Sequence, residues 1–131
     1  MKNMKSGAAW VVVAAAVVSG CVGDRIVAPA EMRGGELTDW YAHKTLYTSD
    51  KDSADPTRST CNGDCALKWP PFRPNDGERA VRDYTIFKRD DGSPQWAYKG
   101  KPLYFYAGDN KTGDKNGDGA DGVWHAVKPT Q

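Results

Sequence analysis

The longest hydrophobic segment of the chain is an uninterrupted run of eleven apolar residues, 8–18, which follows two lysines near the amino terminus. The run is too short to span a bilayer and has the length of the apolar region of a signal peptide. Beyond it, apolar and aromatic residues come in short segments, separated by turn residues about every ten positions. This pattern predicts short β-strands, the first as a hairpin or strand pair, at residues 40–47, 84–88, 95–98, 102–106 and 123–127.

No segment has the periodicity of an amphipathic helix, although a short helical turn fits residues 64–67. Alternation within two of the predicted strands sorts their side chains by face. The faces are Leu103 and Phe105 against Tyr104 and Tyr106 in one strand, and Val123, His125 and Val127 together in the other. We therefore expect an all-β fold, a small antiparallel meander that forms a sandwich or a barrel.

One pattern occurs twice in the chain: a Leu-Tyr pair, an Asp five residues after the Tyr, a polar loop and then a Trp. Recurrence of this kind indicates an internal duplication. The repeated residues are Tyr47, Asp52 and Trp69 in the first copy, and Tyr104, Asp109 and Trp124 in the second, which also has Tyr106. We therefore predict two imperfect tandem repeats, at about residues 40–77 and 95–131.

The apolar run ends in Val18-Ser19-Gly20-Cys21, which resembles the lipobox of bacterial lipoproteins. The resemblance implies cleavage of residues 1–20 as a signal peptide and acylation of Cys21, with residues 21–36 as a flexible tether. Several acyl chains would hold the protein stably without a transmembrane helix. Val22 stands where Asp would signal retention in the inner membrane, so the outer membrane is favoured if the cell has one. The alternative is an ordinary secretory signal cleaved nearby.

Cleavage would leave the tether and a domain of residues 37–131, enough for one modest core. Because Lys2 and Lys5 are removed, 16 basic residues would face 17 acidic ones, a net charge of about −1. That balance gives no basic face for nucleic acid. The expected partners are the membrane, through the lipid on Cys21, and an unknown envelope protein or glycan, at the periplasmic or extracellular face.

Two cysteines remain after acylation, Cys61 and Cys65, in an oxidising compartment. A disulfide between them is the favoured interpretation. The C-x3-C spacing fits neither a haem attachment site nor a thioredoxin motif. Two thiolates together with His43 or His125 are the alternative, because soft thiolate ligands suit Cu(I).

Residues 114–119 fit the opening of a calcium-binding loop, because alternate oxygen-bearing side chains of such a loop converge on one ion. The candidate ligands are Asp114, Asn116 and Asp118. The closing position, normally Glu, is His125, and no flanking helices are predicted. The alternative is a Gly-rich and Asp-rich turn between two strands.

Together these segments resemble a family of bacterial secreted-repeat lipoproteins of unknown function, described by a Y-x-(F/W/Y)-x-x-D motif. Residues 104–109 fit the motif outright, whereas residues 47–52 depart from it at Ser49, where an aromatic residue is expected. Residues 61–71 resemble the family's C-x-G-x-C-A and W-P-P segments. The resemblance covers about residues 37–129 and implies tandem repeats and an envelope location, but no reaction.

We favour a non-enzymatic structural or interaction module of the cell envelope, in which each repeated Tyr hydroxyl bonds to the Asp that ends its own strand. A copper-binding or redox accessory protein is one alternative, and a glycan-binding module with exposed Trp and Tyr faces is another. A hydrolase is not favoured, because the acidic pairs at 90–91 and 50/52 are loop carboxylates, which are usually solvated.

Overall fold

The computed structural model describes residues 7, 9, 11–16, 26–52 and 58–129. Its strands are β1 (Ala30–Arg33), β2 (Glu36–Asp39), β3 (Tyr47–Ser49), β4 (Tyr84–Lys88), β5 (Pro94–Tyr98), β6 (Lys101–Pro102) and β7 (Trp124–Ala126). The described residues also form a short helix, α1 (Asp64–Lys68), and a 3-10 turn (Ala120–Gly122). The all-β prediction is confirmed. Among the residues described, no helix has the length and apolar character needed to cross a membrane.

The strands form three small antiparallel sheets, β1–β2, β3–β7 and β4–β5–β6. The largest is built on the β4–β5 hairpin, in which Ile86 lies opposite Trp96. Its turn contains Asp91-Gly92, as the sequence predicts, and Gly92 has φ 80°, a conformation that favours glycine. The following turn at Lys99-Gly100 brings the chain back into β6.

The two repeats exchange strands instead of folding side by side. Strand β3 of the first repeat pairs with β7, which follows the polar loop of the second. Reciprocally, Tyr104 of the second repeat bridges to Pro71 of the first. Between these two pairings, Tyr47 and Tyr104 lie opposite each other. The backbone N–H of each donates to the backbone carbonyl of the other, at 2.8 and 2.9 Å. Neither half can therefore complete its sheet alone.

The exchange is nearly symmetric, because corresponding residues of the two halves make the same backbone hydrogen bonds. In one half, Leu37 N donates to Val127 O (2.8 Å), Leu46 N to Leu37 O (2.9 Å) and Val127 N to Leu46 O (3.0 Å). In the other half, Trp96 N donates to Phe72 O (2.8 Å), Leu103 N to Trp96 O (2.9 Å) and Phe72 N to Leu103 O (2.9 Å). An approximate twofold axis therefore passes between Tyr47 and Tyr104.

Two hydrophobic clusters fill the interior, and the alternation around Leu103 assigns side chains to each. Leu103 and Phe105 pack in the first cluster, whereas Tyr104 and Tyr106 pack in the second, as predicted. The first cluster is Ala30, Leu37, Leu46, Phe72, Tyr84, Trp96, Leu103 and Val127. The second is Tyr47, Cys61, Trp69, Tyr104, Trp124 and Ala126.

The predicted tether over residues 21–36 extends too far along the chain. Residues 30–36 belong to the β1–β2 hairpin, with Met32 opposite Leu37, and Ala30 packs in the first cluster. The Gly34-Gly35 pair supplies the tight turn of this hairpin, with φ 62° and 98°, instead of a flexible linker. Cys21 and the cleavage site lie outside the described residues.

Three predicted strands differ from the observed ones. Residues 40–42 form a turn, because the Asp39 carboxylate accepts the backbone N–H groups of Tyr41 (3.1 Å), Ala42 (2.7 Å) and Lys44 (2.7 Å). Within the segment 102–106, only Pro102 belongs to regular strand, in β6. The last strand spans 124–126 only, so Val127 and Val123 pack against different clusters instead of sharing one face.

Candidate functional site

The repeated Tyr and Asp residues pair across the two repeats at the centre of the molecule. The Tyr47 hydroxyl donates to Asp109 Oδ2 at 2.6 Å, and the Tyr104 hydroxyl donates to Asp52 Oδ2 at 2.7 Å. The prediction that each Tyr bonds to the Asp of its own strand is therefore wrong. Because the two tyrosine segments are antiparallel neighbours, each ring reaches the loop that follows the other tyrosine.

The second oxygen of each Asp holds the loop of its own repeat. Asp109 Oδ1 accepts the backbone N–H of Asn116 at 2.9 Å, and Asp52 Oδ1 accepts that of Thr60 at 2.8 Å. Each carboxylate thus ties its own polar loop to the tyrosine of the other repeat. Hydrogen bonds to an ionised group are among the stronger ones in proteins, so these four residues of the motif lock the strand exchange.

Burial keeps both central tyrosines protonated. Desolvation of the ring hydroxyl raises the pKa of Tyr47 well above its usual value, and the hydrogen bond to the Asp109 carboxylate raises it further. Desolvation likewise raises the pKa of Tyr104, and Asp52 adds to the effect. Proton transfer at neutral pH needs a pKa near 7. The two hydroxyls are therefore suited to donating fixed hydrogen bonds and not to acid-base chemistry.

The two repeated tryptophans stack on each other beside this centre. The rings of Trp69 and Trp124 are parallel within 5°, with centroids 3.9 Å apart. Tyr47 packs edge-on against Trp69 and Tyr104 against Trp124, at 5.5 and 5.1 Å. Such aromatic pairs add about 0.5–1.5 kcal/mol each beyond the area that they bury. With exposed fractions of 2% and 5%, the two indoles belong to the core.

A buried arginine, which no sequence motif indicated, supports only one of the two tyrosines. Arg89 donates to Gln95 Oε1 at 2.6 Å, to Ser59 Oγ at 3.1 Å and to the carbonyl of Cys61 at 2.5 Å. Ser59 Oγ in turn lies 2.5 Å from the Tyr104 hydroxyl. The side chain thereby connects the β4–β5 hairpin to the cysteine loop and to the Tyr104–Asp52 pair.

A family model described as a secreted repeat of unknown function matches residues 33–73 and 85–128. The chain belongs to this secreted-repeat family. The two matches contain the repeated Tyr, Asp and Trp residues, and each begins earlier than the repeats predicted at about residues 40–77 and 95–131. A comparison with curated proteins and with solved structures finds no match.

The secreted-repeat motif is complete in one half and incomplete in the other, and the structure shows the consequence. Tyr106 covers one face of Trp69, with ring centroids 4.6 Å apart. Ser49, at the corresponding position of the first repeat, covers no such area. A groove of about 390 Å³ opens there. Its lining is Ser49, Lys51, Thr60, Cys61, Asp64, Cys65, Lys68, Trp69, Asp121 and Trp124.

Cys61 and Cys65 form a disulfide, as the sequence predicts, at the side of this groove. The bond closes the loop that leads into α1, and α1 brings Trp69 into the stack. Cys61 is buried and Cys65 is partly exposed. In the oxidised protein neither sulfur is a thiolate, so a copper site with His43 or His125 would first require reduction.

Each histidine lies beside a carboxylate, and the residues of the predicted calcium loop make hydrogen bonds within the fold. His43 Nδ1 lies 3.2 Å from Glu31, and His125 Nε2 lies 2.7 Å from Asp50. Asp114 accepts backbone N–H groups at 110 and 111, the Asn116 backbone donates to Asp109, and Asp118 accepts the N–H at 126. Within the described part of the chain, no three His, Cys, Asp or Glu side chains are grouped as a metal site.

Proposed function

We propose that this secreted-repeat protein is a lipid-anchored component of the bacterial cell envelope, and that its domain is a non-enzymatic interaction module. The family is one of secreted repeats, which fits an envelope or extracellular location. The lipobox-like segment before Cys21 supports the anchor, because cleavage there exposes the cysteine for acylation.

The observation that carries the non-enzymatic role is the crossed pairing of the motif residues. Tyr47 and Tyr104 bond to Asp109 and Asp52, and the same carboxylates hold their loops. The repeated polar residues are therefore committed to joining the repeats. A catalytic pair would instead need groups with free lone pairs or transferable protons facing a substrate.

The groove beside the disulfide is the surface that we assign to a partner. It lies beside Trp69 and Trp124, and two lysines and two aspartates border it: Lys51, Lys68, Asp64 and Asp121. A mixed-charge border around an apolar floor suits a polar peptide segment of another envelope protein. A glycan stacked on the groove tryptophans is less favoured, because both indoles are almost fully buried.

The anchor is tested by mass spectrometry of the mature amino terminus and by labelling with a palmitate analogue. We expect label on the wild-type protein and none on Cys21→Ser. The Cys61→Ser/Cys65→Ser variant is the matched control, because it removes the other two cysteines and should keep the label. An unacylated mature terminus would overturn the anchor and leave the fold unaffected.

The interaction module is tested by photocrosslinking in intact cells, with a crosslinker at position 51 or 68 on the border of the groove. We expect one discrete adduct with an envelope protein, which is lost when Ser49→Tyr fills the groove. A crosslinker at Arg73, an exposed residue that is not among the groove lining, is the control. Equal adducts from both surfaces, or none, would contradict a specific groove.

A further inference from the structure

Four exposed apolar side chains lie at the amino-terminal entry to the domain, where the described stretch 26–52 begins. Ile26, Val27, Trp40 and Tyr41 have exposed fractions of 65%, 54%, 46% and 70%. Ile26, Val27 and Tyr41 line one groove of about 370 Å³, and the Trp40 backbone N–H donates to Pro29 O at 3.0 Å. The turn at residues 40–42 is therefore bonded to the segment 26–29 that precedes β1. We call these four residues the entry patch.

The entry patch lies within a short reach of the predicted lipid attachment. Ile26 comes five residues after Cys21, and five residues of fully extended chain span at most about 18 Å. A bilayer has an apolar core of about 30 Å, bordered on each side by a polar layer of about 5–7 Å. An acylated Cys21 at that border therefore keeps the entry patch close to the membrane surface.

The chemistry of the entry patch matches that border. Trp and Tyr rings concentrate at the membrane–water interface, where an apolar ring and a polar N–H or O–H are both accommodated. Arg79 is exposed on the same groove and can meet an anionic headgroup. The neighbouring Glu78 carboxylate is turned back to the N–H of Asn75 at 2.8 Å.

We propose that the entry patch rests in the headgroup region of the bilayer that carries the Cys21 lipid. The inference depends on the proposed lipid anchor and adds an orientation to it. The acyl chains hold the protein on the membrane, and the entry patch sets which side of the domain faces the bilayer. The strand-exchanged centre then stands at a fixed angle to the surface instead of swinging on a tether.

Trp40 provides a direct optical test, because Trp69, Trp96 and Trp124 are each at least nine-tenths buried. The acylated mature protein, residues 21–131, is reconstituted into vesicles of phosphatidylethanolamine and phosphatidylglycerol, with or without bromine on the acyl chains near the headgroup. We expect bromine to quench the emission of Trp40 roughly two-fold, as for an interfacial indole. Trp40→Phe should remove the quenched component and leave the buried tryptophans unquenched.

A second variant separates the entry patch from the anchor. Val27→Asp/Tyr41→Asp changes two exposed side chains, so the fold should persist. We expect this variant to float with the vesicles through its lipid but to lose the quenching of Trp40. Wild-type protein that floats without quenching would overturn the proposed orientation and leave the anchor standing. Wild-type protein that does not float would overturn the anchor itself.

Two other occupants of the entry patch would also be revealed. If Trp40 stays unquenched and the wild type sediments with purified peptidoglycan while Trp40→Phe does not, the patch binds glycan and the membrane assignment is wrong. If Trp40 stays unquenched and a crosslinker at position 40 joins one envelope protein in cells, the patch binds protein and the assignment is equally wrong.

Discussion

The two halves of the molecule are alike at the centre and different at the edge. In the second repeat, Tyr106 lies over Trp69, and Gly108 and Gly117 leave room for its ring. A Cβ at position 108 would lie 2.5 Å from Tyr106 Cε1, and one at position 117 would lie 2.7 Å from Trp69 Cη2. In the first repeat, Ser49 replaces the aromatic residue and the surface opens into the groove.

The differences between the halves are coordinated along the chain. Lys51 of the first repeat corresponds to Gly108 of the second, because each follows the motif tyrosine by four residues. A side chain fits at position 51 because Ser49 has no ring to clash with. The residues at positions 49 and 51 are therefore compatible with each other, as expected when close packing couples neighbouring positions.

The constrained centre and the freer edge have different physical origins. The centre must satisfy two buried hydroxyls and two carboxylates at once, so neither repeat can change alone. The edge is formed by single side chains, and in the first half it lies beside the disulfide, where the Cys61 carbonyl accepts a hydrogen bond from Arg89. One half therefore has the open groove, whereas the other has the complete motif.

The largest expected effect is at the centre, where the two crossed pairs differ in burial. Tyr47→Phe leaves the Asp109 carboxylate, which is 4% exposed, without the donor to Oδ2. We expect this to lower the free energy of unfolding by about 3 kcal/mol, the cost of an unsatisfied buried charge. Tyr104→Phe should cost about 1 kcal/mol, because Asp52 is only half-buried and water can replace the hydroxyl. Urea unfolding monitored by tryptophan fluorescence measures both.

A double-mutant cycle sharpens the same comparison. Tyr47→Phe/Asp109→Asn should cost less than the sum of its single variants, because an amide is cheaper to leave without a donor than a carboxylate. Tyr47→Phe/Asp52→Asn is the matched control and should be additive. Coupling to Asp52 in place of Asp109 would contradict the crossed pairing and restore the within-strand pairing that the sequence suggested.

The crossed tyrosines also make the protein sensitive to alkaline pH. Both pKa values are raised in the folded state, so the stabilisation is complete below the unfolded value of about 10 and is lost as pH rises towards the folded values. Each tyrosine should lower the free energy of unfolding by about 1 kcal/mol between pH 10 and 11, because half of the unfolded tyrosine is still protonated at pH 10. Tyr84, whose pKa burial raises to about 12, adds a similar slope.

Stability measured from pH 8 to 11.5 in the wild type and in Tyr47→Phe tests this assignment. Removing one titrating tyrosine should reduce the alkaline slope by about one proton, and Tyr47→Phe/Tyr104→Phe should reduce it by about two. If the double variant kept the wild-type slope, the two hydroxyls would not be protonated and buried as the crossed pairs require.

Packing around the complete motif gives the next effect. At position 117 a Cβ would meet Trp69 at 2.7 Å and Tyr106 at 2.9 Å, and Trp69 is too deeply buried to move easily. We expect Gly117→Ala to lower the free energy of unfolding by about 2 kcal/mol through overpacking. Lys51→Ala, in the open half, should stay within about 0.5 kcal/mol of the wild type. Thermal unfolding of both variants distinguishes the two edges.

The local features of this fold could be predicted from sequence, and the exchange of strands could not. Alternation placed Leu103 and Tyr104 in different clusters, Asp91-Gly92 located a hairpin, and the duplicated spacing selected the central residues. All of these follow from the conformation of a few adjacent residues. Whether Tyr47 bonds to Asp52 or to Asp109 depends on which repeat supplies the neighbouring strand, and both arrangements have the same local pattern.

The residues that sequence reasoning missed have a similar explanation. Arg89, Ser59 and Gln95 belong to no motif, and charged or polar residues are usually exposed, so their burial follows only from the tertiary contacts. The sequence pattern places residues 30–36 of this hairpin in the tether, because Gly34-Gly35 fits a flexible linker and a tight turn equally well. A buried Ala30 decides between these in the fold, and it carries no signal in the sequence.

A substitution with a small effect on stability tests the edge most directly. Ser49→Tyr restores the motif in the first repeat and places a ring beside Trp124, as Tyr106 lies beside Trp69. The added aromatic contact and the loss of the Lys51 N–H bond to Ser49 Oγ oppose each other, so we expect a change of less than about 1 kcal/mol. A ring at position 49 would be crowded by the side chain of Lys51, because the corresponding residue beside Tyr106 is Gly108. Ser49→Tyr/Lys51→Gly should therefore be more stable than Ser49→Tyr alone. A ring that enters the groove will also block the crosslinks expected from positions 51 and 68. A stable Ser49→Tyr protein that keeps those crosslinks would show that the groove does not depend on the missing ring.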